Sequence, residues 1–192
     1  MANCPPYRRN MATTPDATRG AALQTLLGAA AAVCRGQMDA ASWLVDDAAD
    51  SGLAEPVLAI CPTVTRHLLG RVGPHALGQD PGILTCELGL ACRGRFPEGS
   101  GSIGSLCLLA AAGRIDPWDP ACVFALGFDV VVPVWGAVAS AWFATERAAS
   151  EHGRDPAAVA QRICLQIAAS LSASAGGTSG GAGGHQSGRH AA

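Results

Sequence analysis

The chain contains no lysine; its thirteen basic residues are all arginine. That excludes a P-loop and a Ser-x-x-Lys nucleophile, since both need a lysine amine. Charge is scarce as well, at 15% of residues against the usual figure of about 25%. The formal net charge is −2. A dedicated nucleic-acid binder carries a basic excess, so nucleic acid is not an expected partner. Aromatic residues make up 5%. There is no C-x-x-C pair, which argues against a zinc ribbon. The one G-x-S-x-G, at residues 177–181, falls in the Gly/Ser/Ala tail and not on a strand-to-helix turn, which argues against an α/β-hydrolase serine.

What is present is alanine, glycine and apolar periodicity. Of the 192 residues 49% are hydrophobic, 38 are Ala and 24 are Gly. That length suits one domain with tails. The pattern predicts an all-α fold, a small orthogonal or hairpin-based bundle of about six helices with an irregular central loop region. The expected division is a flexible arm over 1–16, a helical domain over 17–171 and a disordered Gly/Ser/Ala tail over 172–192.

Leu23, Leu26, Leu27, Ala30 and Val33 recur at helical spacing, predicting a helix over 17–35 that Gly36 ends. The same stretch has the outline of an export signal, with Arg8, Arg9 and Arg19 before an apolar run that ends at Cys34. Asp16, Gln24 and Thr25 interrupt that outline, and Val33 is bulky where a small residue should precede the cysteine. A helix over 38–51 follows, with Met38, Ala41, Leu44, Val45 and Ala48 facing the core, and Gly52 ends it. A third starts near Glu55-Pro56 and is kinked or split at Pro62. Residues 70–101 are rich in Gly and Pro, and Ile83–Leu90 reads as a strand or a helical turn. A helix over 102–112 stops at Gly113. Asp116-Pro117, Asp119-Pro120 and Asp155-Pro156 read as helix starts, Asp capping and Pro in the first turn. The apolar run 120–145 is long enough for a membrane span. Its Asp129, Gly127, Pro133 and Gly136 favour a buried helix pair broken near Pro133. The last helix is expected over 156–171.

Few residues suggest chemistry. Gly99-Ser100-Gly101-Ser102-Ile103-Gly104 fits G-x-G-x-x-G, but a turn precedes it where a dinucleotide site needs a strand. Cys61, His67, His75, Cys86 and Cys92 are soft-ligand residues spaced five or more apart, too widely for paired zinc ligands. No metal and no cofactor is expected. The eight cysteines lie mostly in apolar stretches and read as core thiols. Asp129 is a candidate buried acid.

The strongest functional signal is the acidic second helix. Asp39, Asp46 and Asp50 share a face with Asp47 beside it, and carboxylates near a helix C-terminus oppose its dipole. Either the face is solvated and neutralised by Arg35, Arg66 or Arg71, or it docks a basic partner. The leading expectation is a small soluble, cytoplasmic, helical interaction or assembly module without chemistry of its own. Its partner would be a basic protein or a second copy of the chain. A membrane-associated helical protein is one alternative. Another is a ligand-binding or enzymatic domain with a pocket in 70–101, lined by Cys86, Glu87, Cys92 and Arg93.

Overall fold

The computed structural model describes residues 16–72 and 80–176. Eight helices are present among them, and no strand. In chain order they are α1 (Asp16–Cys34), α2 (Met38–Asp50), α3 (Ala54–Val72), α4 (Pro81–Cys92), α5 (Ser100–Ala111), α6 (Pro120–Phe124), α7 (Val131–Glu151) and α8 (Pro156–Gly176). The all-α expectation holds. The arm over 1–15 and the tail beyond 176 lie outside the described residues.

The core is organised around α7. Every residue from Pro133 to Thr145 is buried, so this helix is enclosed on all sides. It packs against α1, α2, α3, α4, α5 and α8. Its composition permits this, because Gly136, Ala137, Ala139, Ser140, Ala141 and Ala144 let neighbouring backbones approach closely. A helix that is apolar all round belongs in an interior. Among the described residues no helix is long and apolar enough to cross a membrane. Contrary to the expectation from sequence, the helix is not broken near Pro133. Proline is its third residue, in the first turn, where the missing N–H would have had no intrahelical partner. The break falls earlier, over 125–130.

α1 and α2 form the expected hairpin. Gly36 adopts φ +72°, and Gln37 N–H donates to Ala32 O while Gly36 N–H donates to Val33 O. This is a Schellman stop, which favours glycine because a side chain strains the left-handed backbone. Leu23, Leu26, Leu27, Ala30 and Val33 are all buried, but so are Ala22, Ala29, Ala31 and Ala32. α1 is therefore packed on several sides, against α2, α3, α7 and α8.

Pro62 neither splits nor ends α3, which runs through it. A proline lacks the N–H that would bond the carbonyl four residues back, here Leu58. That carbonyl accepts instead from the Trp118 indole Nε1–H at 3.0 Å. The helix is thus completed from outside, and the same bond ties the 112–119 loop to α3. A second cross-tie lies further along. Arg66 donates through Nε to Ala111 O at 2.6 Å and through Nη2 to Ala110 O at 3.2 Å. A guanidinium at these last carbonyls adds to the Gly113 N–H bond at Ala110 O, takes up Ala111 O and complements the α5 dipole.

Three other expectations need correction. The central region is not irregular throughout, since 81–92 is helical: Asp80 Oδ1 accepts from Gly82 N–H at 2.9 Å and Pro81 begins the first turn. Leu84, Leu88 and Cys92 bury one side of α4 against α5 and α7. Asp116-Pro117 starts no helix and lies in a bend, whereas Asp119 and Asp155 do cap α6 and α8. The last helix continues past residue 171 to Gly176.

Candidate functional site

α2 lies on the surface with Ala41, Val45 and Ala48 turned into the core against α1 and α7. Its opposite side carries Asp39, Asp46, Asp47 and Asp50, all exposed. Trp43 sits in their midst with 67% of its surface exposed. At 100° per residue the four carboxylates fall within about 60° of the tryptophan, at i−4, i+3, i+4 and i+7. Among the described residues none of the four forms an ion pair; Arg66, one expected neutraliser, is committed to α5, and the Arg71 side chain lies outside the described residues. No basic residue occupies the last turn of α2, so Asp47 and Asp50 stand against the negative end of the helix dipole. Sequence reasoning found the aspartates and missed Trp43. Its spacing from all four was the available signal.

Asp129, the candidate buried acid, is exposed instead. Its Oδ1 accepts from Val131 N–H at 3.1 Å at the start of α7. An aspartate there bonds an orphan donor and complements the helix dipole.

A cleft of about 430 Å³ lies between the end of α4, the 93–99 loop and the start of α5, lined by Gly89, Cys92, Arg93, Glu98, Gly101 and Ser105 among others. Of the expected pocket residues it takes Cys92 and Arg93. Cys86 faces solvent, and Glu87 accepts an ion-paired hydrogen bond from Arg147 of α7. Phe96 anchors the loop, its ring 5.7 Å from Trp135 edge-on and 5.3 Å from Trp142. Arg95 lies 4.7 Å over the Trp142 ring, whose Nε1–H donates to Glu146. The Cys92 thiol is pushed up to about 11 by burial, which keeps it protonated and poorly nucleophilic near neutral pH. Among the described residues no histidine lines this cleft.

The glycines of the G-x-G-x-x-G run have structural work. Gly99 precedes α5 with φ +88°, Gly101 abuts Cys92, and Gly104 abuts the Gly136 carbonyl of α7. The soft-ligand residues are scattered: Cys61 and Cys92 are buried on different helices, while His67 and Cys86 are exposed. His75 lies outside the described residues. Among the described residues no three His, Cys, Asp or Glu side chains gather as a metal site.

One buried polar seam joins α3 to α7. Thr65 Oγ1 and Ser140 Oγ share a hydrogen bond of 3.2 Å, and Cys61 Sγ donates to Ala137 O at 3.5 Å. A hydrogen bond with Cys61, and then burial, hold the Cys107 thiol well above its ordinary value. These groups satisfy one another within the core. No protein family, curated protein or solved structure matches the chain.

Proposed function

We propose that the protein is a helical interaction module whose α2 face receives a basic partner, with Trp43 as the anchor and Asp39, Asp46, Asp47 and Asp50 as the surrounding charges. The observation that carries this is the exposed tryptophan at the centre of the four carboxylates. Tryptophan is the residue most enriched at binding hot spots, and a large aromatic left in water forfeits its burial energy. The carboxylates repel each other and oppose the helix dipole, so a sequence chosen for stability alone would avoid them. Arginine or lysine on a partner reverses both terms. A guanidinium can also stack on the indole while pairing with a flanking aspartate. Among the described residues the free core thiols of Cys61, Cys92 and Cys107 support a reducing, cytoplasmic setting for this module.

A fluorescein-labelled amphipathic helical peptide bearing four arginines serves as the probe. Trp43→Ala, and separately Asp46→Arg with Asp50→Arg, should each raise its Kd at least about tenfold, the scale of one lost hot spot. Both substitutions are on exposed positions, so helicity should be retained. Equal affinity of the peptide for wild type and both variants refutes the proposal.

A further inference from the structure

α4 has two apolar sides. Leu84, Leu88 and Cys92 face inward and are buried. Ile83, Cys86 and Leu90, at i, i+3 and i+7, form a second stripe that faces out. Ile83 is 53% exposed, Leu90 is 61% exposed and Cys86 is exposed between them. The only charged residue within the helix is Glu87, and Arg147 holds it against α7. Arg147 also lies over the Phe143 ring of α7, so this pairing rests on the rigid centre of the fold. The outward stripe is therefore presented in a fixed orientation with no charge of its own.

Charge appears at the two ends of the stripe, and the signs are opposite. Asp80, exposed, lies three residues before Ile83; Arg93, exposed, lies three residues after Leu90. The order is acid, isoleucine, cysteine, leucine, base. Reversed, it reads base, leucine, cysteine, isoleucine, acid. Two copies laid antiparallel, about a twofold axis passing between positions 86 and 87, place Asp80 against Arg93 and Ile83 against Leu90, twice each. An isologous contact needs this self-complementarity, because residue i meets j and j meets i. A parallel arrangement would set Asp80 on Asp80 and Arg93 on Arg93. The charges thus select both the partner and its direction.

We propose that the outward face of α4, Ile83–Cys86–Leu90 bounded by Asp80 and Arg93, is the contact through which two copies of this chain associate antiparallel. This face lies on a different helix from the α2 surface, and each can fail without the other. One helical stripe is small against the roughly 1,200–2,000 Å² of stable interfaces, so the dimer is weak and concentration-dependent. Its occupancy responds to salt, since the terminal pairs are at the solvent-exposed rim.

Sedimentation equilibrium of the full chain from about 1 μM to about 1 mM spans the affinities such an interface supports. Wild type should shift from monomer to dimer within that range. Leu90→Arg should raise the dimer Kd at least about tenfold, since a buried leucine from each copy is lost. Arg93→Asp and Asp80→Arg should each weaken association, and a one-to-one mixture of these two variants should recover it, because both end pairs become complementary again. Asp80 also caps α4, so far-UV circular dichroism accompanies that variant. Leu90→Arg and a crosslinking readout leave the cap untouched: copper-phenanthroline oxidation should yield a covalent dimer that Cys86→Ser abolishes. Wild type that stays monomeric throughout, or a dimer equally stable in Leu90→Arg, overturns the proposal. Failure of the mixture to associate, with both variants at wild-type helicity, overturns the antiparallel register.

Discussion

Replacing Gly136 with alanine probes the point where α5 and α7 come closest. An added Cβ there would lie 2.4 Å from Ile103 Cβ and 2.6 Å from Ile103 Cγ2. Carbon atoms in ordinary contact sit about 3.5–4.0 Å apart, so the two helices must separate by roughly 1 Å. Ile103 cannot swing away, because it is buried and β-branched and its χ1 is restricted in a helix. Gly104 also faces this crossing: its own added Cβ would meet Gly136 O at 3.0 Å. Overpacking of this severity costs about 3 kcal/mol. The alanine returns about 1 kcal/mol of helix propensity. The net loss is about 2 kcal/mol, a fall in Tm of about 4–8 °C for a chain of this size. Gly20 provides the control. It lies within α1, and an added Cβ meets nothing within 4 Å. Gly20→Ala should therefore stabilise by about 0.5–1 kcal/mol. Urea denaturation of both variants measures the two changes side by side. If Gly136→Ala is as stable as wild type, the close crossing of α5 and α7 is wrong.

Three further outcomes follow from the same geometry. Trp118→Phe should cost about 1–2 kcal/mol by orphaning Leu58 O, and much less in a Pro62→Ala background, where the helix supplies its own N–H; additive costs in a double-mutant cycle would contradict this link. Arg66→Met should lose about 1.5–3 kcal/mol in chemical denaturation, and Arg66→Lys should recover only part of it, because a lysine amine cannot reproduce the forked contact with Ala110 and Ala111. The thiols of Cys34 and Cys92 are raised from 9.0 to about 12 and about 11, mainly by burial, with Glu146 adding to the first and Arg95 opposing the second. Unfolded thiols ionise first, so the stability these groups contribute is complete below pH 9 and is lost as pH rises from about 9 towards 12; a pH series of Tm that is flat across that window would refute it.

Much of the helical layout was readable in the chain because local signals carried it. Gly36 and Gly52 stop their helices where the left-handed backbone is needed, and Asp119-Pro120 and Asp155-Pro156 start theirs. The same Asp-Pro signal at residues 80 and 81 was hidden by the glycines and prolines around it, which made 70–101 look irregular. At Asp116-Pro117 the signal was present and no helix followed, because a cap needs a packed helix to follow it. Pro62 illustrates a different limit. Local rules predict a kink or a break, and the outcome depended on Trp118, distant in sequence, taking the freed carbonyl. The acidic face of α2 was legible from spacing alone. Trp43 shares that spacing, and the signal was passed over because a tryptophan at helical spacing reads equally well as core, as Trp135 and Trp142 are. Arg66 could have served α2 by charge count; only the packing of α3 beside α5 assigned it elsewhere.

The claim most open to a single test is that the buried α7 holds a fold whose binding face is α2. Amide hydrogen exchange, read by mass spectrometry with and without the arginine-bearing helical peptide, addresses it directly. Added protection should appear over residues 38–50, while the buried 133–145 should be the slowest-exchanging segment with and without peptide. Protection gained on another helix, or no protection at peptide saturation, would contradict it.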